Sequence, residues 1–292
     1  MAKPSIGIIG AGAVGSALAS ALSEAGFPLM AIVDQRAAKA RDLAQQVGAD
    51  RAGADLGLIQ EDTQILIIAV PDERIADVAR ALSKTLPLLR WSACAHTSGA
   101  LCASELANLS ASGSPVASLH PLQTFPEPGP APSLQGVFFT LEGDPEAVEI
   151  LRALVNQIGG IPIGIPSASK AVYHAAAVFA SNFLPVLLQA TLDLLADTNI
   201  AEDQCRRMIA PLMRQSLENC LKLGPAEALT GPLARADAAT VRRHLQVLQS
   251  QHPRLAPVYR MLSLKALELA TEKGLSDEEL DRLQRVLTEG YR

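Results

Sequence analysis

Four groups of residues in this chain of 292 have the types and spacing that chemistry needs. The first is Gly10-Ala11-Gly12-Ala13-Val14-Gly15, which fits the pattern G-x-G-x-x-G. Between a strand and a helix, the first glycine of that pattern allows a tight turn. The second lets the backbone approach a pyrophosphate, and the third lets the helix pack close to the strand. The helix N-terminus then offers unpaired N–H groups and the positive end of its dipole to the phosphates. The second group is Asp34 with Arg36, at the end of the next apolar run. An acid there holds the adenosine ribose hydroxyls and favours NAD, whereas Arg36 is placed to meet a 2′-phosphate and favours NADP. The two signals conflict.

The third group lies at the ends of three further apolar runs: Val70-Pro71-Asp72, His96-Thr97-Ser98-Gly99 and His120-Pro121. Ligands of an open parallel sheet bind outside the carboxyl ends of its strands, so these residues are expected to border a cofactor. Val70, Pro71 and Thr97 would contact it, and His96, Ser98 and His120 are candidates for proton transfer. The alternative is structural, since Ser98 is also a natural N-cap for the helical stretch 101–109. The fourth group is Lys170 and His174, four residues apart and therefore on one helical face, with Ser181 and Asn182 two turns on. A partly buried Lys170 amine would have a lowered pKa, suited to polarising or protonating a carbonyl or imine. The same polar stripe also reads as a network tying the helix to the sheet. Arg235 suits an acidic substrate group or, equally, pairing with Asp237 or capping backbone carbonyls.

These residues need a scaffold, and the hydrophobic pattern supplies one. Residues 5–9, 29–33, 65–70, 91–97, 115–119, 137–141 and 161–165 read as strands. Residues 13–25, 36–47, 72–82, 101–109 and the segment opened by Asp144-Pro145 read as helices. That alternation predicts a doubly wound, mostly parallel Rossmann sheet over residues 1–165. Residues 121–135 hold five prolines and no clear element, the mark of a functional or mobile loop. Beyond Pro166 only helices are expected: 169–196, 203–221, 238–248 capped by Asp237, 253–272, and 277–287 opened by a Ser276/Glu279 capping box. Residues 166–292 are thus predicted to form an all-helical substrate and dimerisation domain.

Composition narrows the function classes. A net charge of −5 with scattered charges lacks the basic footprint of a nucleic-acid binder. The four cysteines form no C-x-x-C pair and no zinc spacing, so buried thiols in a reducing cytoplasm are expected, with no metal. Residues 171–188 are long and uncharged enough to span a bilayer, but His174, Ser181, Asn182 and Pro185 within them favour a helix buried on all sides of a soluble protein. No membrane span is expected, and the glycines at 7, 10, 12 and 15 argue against a signal peptide.

The strings Gly10–Gly15, His96-Thr-Ser-Gly-Ala100, His120-Pro-Leu-Gln-Thr-Phe125, Tyr173-His-Ala-Ala-Ala177 with Asn182, and Thr230-Gly-Pro-Leu-Ala-Arg235 carry a resemblance. The chain resembles the 6-phosphogluconate dehydrogenase-like superfamily, in particular a family with a Rossmann-like N-terminal domain and a C-terminal helical domain of unknown function. Its relatives include pyrroline-5-carboxylate reductase and the β-hydroxyacid dehydrogenases. The resemblance implies an NADP-dependent oxidoreductase, NAD remaining possible as cofactor, that dimerises through its helical domain. It implies hydride transfer between nicotinamide and a small carbonyl or imine in a cleft between the domains. β-Hydroxyacid dehydrogenases carry a catalytic lysine with an asparagine four residues on. Lys170 matches the lysine, but His174 stands where the asparagine would be, and Pro166-Ser-Ala-Ser169 replaces their glycine-rich approach. The His120-Pro121 step is similar to prephenate dehydrogenases. A non-catalytic dinucleotide sensor and a prephenate-type dehydrogenase are the alternatives, and the substrate is not named by the sequence.

Overall fold

The computed structural model describes residues 3–126 and 132–289. The first segment alternates as expected: β1 (Ile6–Ile9), α1 (Ala13–Glu24), β2 (Leu29–Val33), α2 (Ala37–Val47), β3 (Arg51–Gly53), β4 (Ile65–Ile68) and α3 (Asp72–Thr85). Then come β5 (Ala93–His96), a 3-10 turn (Ala103–Leu106) running into α4 (Ala107–Ser110), β6 (Val116–Pro121), β7 (Phe138–Gly143), α5 (Pro145–Gln157) and β8 (Ile161–Gly164). The eight strands form one sheet in the order β3-β2-β1-β4-β5-β6-β7-β8. All neighbouring pairs are parallel except β6 with β7. The first six therefore have the Rossmann order, with its switch point between β1 and β4.

The central strands read as unbroken apolar runs because both faces are covered. Side chains alternate along β4: Ile65 and Ile67 join one core with Leu18, Leu22 and Leu151, while Leu66 and Ile68 join the other with Ile75, Leu82 and Leu106. β3 escapes the sequence reading because Arg51-Ala52-Gly53 has no apolar run. The antiparallel β7 follows from its connection, since parallel pairing needs a crossover element. The described flanks of that connection, 122–126 and 132–137, hold neither helix nor strand, and residues 127–131 of the proline-rich stretch lie outside the described residues.

Two helix-start expectations change in detail. Pro145 does open α5, but the Asp144 carboxylate leaves that helix uncapped and accepts from Val116 N–H at 2.8 Å, pinning β6 instead. The helix expected over 101–109 shrinks to the short 3-10 turn and α4.

A 3-10 turn (Ser167–Ser169) leads into α6 (Lys170–Ala177), a π turn (Val178–Asn182) and α7 (Phe183–Leu195). The chain divides into two compact units, residues 1–182 and 183–292. The change to all-helical structure near residue 165 and the change of compact unit therefore do not coincide. The first unit keeps α6 and the π turn.

The expectation of a helix buried on all sides is overturned. Val172, Phe179, Val186 and Leu187 are all exposed. No residue of the most apolar window of the stretch Ser167–Thr198 is buried, and by length and composition that stretch could cross a membrane.

After α7 follow α8 (Glu202–Leu223), α9 (Pro225–Ala228), α10 (Gly231–Ala234), α11 (Ala238–Gln251), α12 (Leu255–Glu272) and α13 (Asp277–Thr288). Val241 and Leu245 of α11, Leu267 of α12, and Leu283, Val286 and Leu287 of α13 form the core of this unit. Asp237 caps α11 through Thr240 N–H, and the Ser276/Glu279 capping box opens α13. Cys94 and Cys205 are buried, but Cys102 is half-buried and Cys220 exposed, so only two of the four thiols meet the expectation of burial.

Candidate active site

The glycine turn is built as its sequence requires. Gly10 has φ +107°, and a Cβ on it would lie 2.2 Å from Ala69 O. A Cβ on Gly15 would lie 1.9 Å from Gly10 O, whereas one on Gly12 would meet nothing within 4 Å. Gly10 and Gly15 are therefore glycines for the fold, and Gly12 is a glycine for what lies outside it. α1 begins at Ala13 with no side-chain cap, so its first N–H groups, those of Ala13 and Val14 included, are open to an acceptor.

Beside this turn lies a cavity of about 500 Å³ lined by Gly10, Gly12, Asp34, Arg36, Val70 and Pro71 among others. Arg74, in the first turn of α3, also lines it and was not anticipated; its place just beyond the strand-ending Val70-Pro71 was the available signal. An uncapped helix start, an open approach at Gly12 and two guanidinium groups fit a dinucleotide diphosphate with an added phosphate.

The Asp34–Arg36 conflict has a geometric answer. Asp34 is buried, and its Oδ2 accepts from Ala11 N–H at 2.8 Å. Its Oδ1 accepts from Arg36 N–H at 2.8 Å and faces Arg36 Nε at 3.5 Å. Burial alone would raise this carboxyl's pKa, but the two N–H groups and the Arg36 charge together hold it below the usual carboxylate range. Asp34 thus braces the glycine turn, and the Ala11 N–H is spent on that brace. Arg36 remains more than half exposed at the cavity rim.

The strand-end residues are drawn together by Ser98. Its Oγ donates to Asp72 Oδ2 at 2.8 Å and accepts from Ala100 N–H and Leu101 N–H. Its carbonyl accepts from Lys170 Nζ at 2.8 Å and from Ser118 Oγ at 3.1 Å. Lys170 is 1% exposed, and its second donation goes to Ser118 Oγ at 2.6 Å. Burial lowers the Lys170 pKa, opposed by Glu142, Cys102 and Asp72. Glu142 is itself held by Ala103 N–H and Ser167 Oγ.

His96 is fully buried; its Nδ1 accepts from Ser98 N–H and its Nε2 pairs with Cys102 O at 2.9 Å. Both ring nitrogens are occupied by backbone, which makes it a fold residue. Thr97 is half-buried and gives its N–H to Ile68 O.

His120 stands differently. Its Nδ1 pairs with Tyr173 Oη at 2.9 Å, and its ring meets those of Tyr173 and His174 edge to face. A Cβ on Gly99 would lie 2.7 Å from His120 Nε2 and 2.8 Å from His174 Nδ1, so both imidazoles pack over the Gly99 α-carbon. His174 Nδ1 is buried without a hydrogen-bond partner. Lys170 and His174 do share the face that meets the Ser98–Gly99 loop. The stripe then breaks: the π turn Val178–Asn182 inserts an extra residue, and Asn182 is exposed. Asp72 was expected only as part of a strand end bordering the cofactor; Tyr173, Ser118 and Glu142 were not anticipated as site residues, and contacts far apart in sequence reveal them.

Residues 1–121 match a Rossmann-like domain, and residues 137–266 match a domain of unknown function, DUF2520. The helical-domain match thus begins at the junction with β7, inside the sheet. No curated protein matches the chain. Among solved structures, a putative NADP oxidoreductase from Bacteroides fragilis is 25% identical with a TM-score of 0.74, covering 91% of this chain and 98% of its own. A Thermotoga maritima protein is 26% identical with a TM-score of 0.72, covering 92% and 99%. An imine reductase from Myxococcus stipitatus, in complex with NADP+, shares the fold at 17% identity and a TM-score of 0.66, covering 96% and 99%.

Two predictions follow from this geometry. Gly15→Ala forces a methyl into Gly10 O and is expected to cost about 3 kcal/mol or more, read as a lowered Tm. Gly12→Ala should melt like wild type yet bind dinucleotide about tenfold or more weakly, a loss of ~1.4 kcal/mol. The second concerns pH. Burial first, then the charges of Lys170 and His174, lower the His120 pKa to about 4 from 6.5. The unfolded chain therefore binds more protons between those values, and stability falls as pH drops through that window. The loss is of order 3 kcal/mol when complete. His96, lowered chiefly by burial, adds to it with the same sign. Tm measured from pH 7 to pH 4 should fall less steeply in His120→Gln than in wild type.

Proposed function

We propose that this chain is an NADPH-dependent oxidoreductase that reduces a small carbonyl or imine compound at the Gly99–His120–Tyr173 edge of its sheet. The observation that carries the reading is the continuity of two sites. The glycine-turn cavity reaches Val70 and Pro71, and the next residue, Asp72, holds Ser98 beside Gly99 and His120. The likeness to the Bacteroides fragilis protein supports the oxidoreductase class. Asp34, with both oxygens engaged by protein donors, is poorly placed to bind ribose hydroxyls, while Arg36 and Arg74 at the cavity suit a 2′-phosphate. That supports NADPH over NADH. Bound there, the reduced nicotinamide supplies hydride. The chain's own residues seat the diphosphate, orient the substrate and manage a proton.

The experiment is to supply the purified protein with NADPH and a panel of keto acids, aldehydes, ketones and cyclic imines. Cofactor consumption with stoichiometric reduced product supports the reading. NADPH binding without turnover across a broad panel would leave a dinucleotide-sensing protein instead. In binding titrations, Arg36→Ala and Arg74→Ala should each weaken NADPH about tenfold, as expected for loss of a charged hydrogen bond, and leave NADH within about twofold.

The helical domain is proposed to form the contact of a homodimer in the cytoplasm. The exposed apolar side chains of α8 (Met208, Leu212, Leu217 and Leu221) support a partner for this unit, as exposed apolar patches of this kind do. The four unpaired cysteines suit a reducing compartment. Light scattering of protein purified without detergent tests both: a stable dimer supports a protein–protein contact, and extraction only with detergent would favour lipid as the partner of this face.

A further inference from the structure

We propose that Tyr173 delivers the proton that accompanies reduction, held for this by His120, and that Lys170 acts only as a positioning residue. The proposal rests on the reading above and names the proton donor of the same site.

Lys170 cannot easily serve as donor. The residue is 1% exposed, and its Nζ already gives hydrogen bonds to Ser98 O and Ser118 Oγ. The third N–H is buried with the rest of the side chain, so a substrate would have to displace packed protein to reach it. The bonds have an evident structural result. Ser98 precedes Gly99, and Ser118 lies two residues before His120 on β6, so the one ammonium fixes both the loop and the strand of the site.

Tyr173 follows on the same helix and is half-buried, with Oη 2.9 Å from His120 Nδ1. The direction of that hydrogen bond decides what the phenol can do. His120 is neutral at pH 7, so a single proton is shared between its two nitrogens. Nε2 packs over the Gly99 α-carbon, where a proton on it would face a C–H. Placing the proton on Nδ1 gives it an acceptor, the Tyr173 oxygen, and leaves Nε2 bare. Nδ1–H then donates to Tyr173 Oη, and the phenolic proton is left to be given to a ligand or, in its absence, to the neighbouring Thr140 hydroxyl. Burial raises the Tyr173 pKa, which keeps the phenol protonated until it is used.

The step balances. Hydride from the reduced nicotinamide adds to the carbonyl or imine carbon, and the π pair moves onto oxygen or nitrogen. That atom takes the phenolic proton, and the Tyr173 phenolate, half-buried and held by His120 Nδ1–H, takes a proton from water after product leaves. Nicotinamide ends oxidised, and the substrate gains one hydride and one proton.

The test has one arm that needs no substrate. Nitrogen-15 NMR of histidine-labelled protein near pH 7 should find His120 protonated on Nδ1 in wild type, and mainly on Nε2 in Tyr173→Phe, where the acceptor is gone. His120 protonated on Nε2 in wild type would mean that Tyr173 spends its proton on the imidazole, and would overturn the proposal. In the second arm, Tyr173→Phe should keep wild-type Tm within a few degrees and wild-type NADPH affinity. It should lose about 100-fold or more in turnover of any compound the wild type reduces. Lys170→Met should instead lower Tm and raise KM, and Lys170→Arg should restore part of both. Retained turnover in Tyr173→Phe, or loss in Lys170→Met confined to kcat with Tm intact, would overturn the assignment. Failure of wild type to bind NADPH at all would sink the functional reading and leave the tautomer result standing separately.

Discussion

A buried amino group needs acceptors, and in this chain Lys170 Nζ gives two hydrogen bonds, to one backbone carbonyl and one hydroxyl, Ser98 O and Ser118 Oγ. Moving a lysine charge out of water without such partners would cost several kcal/mol. The partners come from the loop after β5 and from β6, while the lysine comes from α6. Three elements far apart in sequence are therefore held at one sheet edge by one cation. The carboxylates of Glu142 and Asp72 favour its charged form, and each is tied down in turn, Glu142 by Ala103 and Ser167 and Asp72 by Ser98. Gly99, His120 and Tyr173 inherit their positions from this network.

A second constraint acts at the other end of the same edge. The Asp34 carboxylate closes onto Ala11 N–H and Arg36 N–H, which holds the glycine turn against β2. A group that ribose could have claimed is used for architecture, and the guanidinium next to it stays exposed at the cavity. In both cases a charged residue that looks chemical in isolation is consumed by the fold. The residues that stay accessible lie close by: Arg36, exposed, beside Asp34, and Tyr173, half-buried, one helical turn from Lys170.

That pattern explains how much was legible in the sequence. The glycine turn was fully legible because each glycine answers a local need. The strand ends at Val70, His96 and His120 were legible because unbroken apolar runs mark strands covered on both faces. β3 was hidden, since three residues with one arginine and one glycine carry no periodicity. The stripe expected from Lys170 to Asn182 assumed an unbroken helix, and the π turn shifts its far end. The exposed face of α6 and α7 read as core because composition cannot tell a surface that meets its own chain from one that awaits a partner. The roles of His96 and Lys170 depend on which hydrogen bonds are already spent, and only the folded contacts record that. Tyr173 and Arg74 were passed over because a lone tyrosine on a helix and an arginine in a first turn are ordinary in isolation.

The central claim is that the glycine-turn cavity seats NADPH through Arg36 and Arg74, with Asp34 withdrawn into the fold. Calorimetric titration of the wild-type protein with NADPH and with NADH, in one buffer at one salt concentration, tests it most directly. The account predicts saturable binding of NADPH with one site per chain, at least tenfold tighter than NADH. Tighter binding of NADH would contradict the role given to Asp34, and binding of neither by a folded protein would reduce the glycine motif to a structural turn.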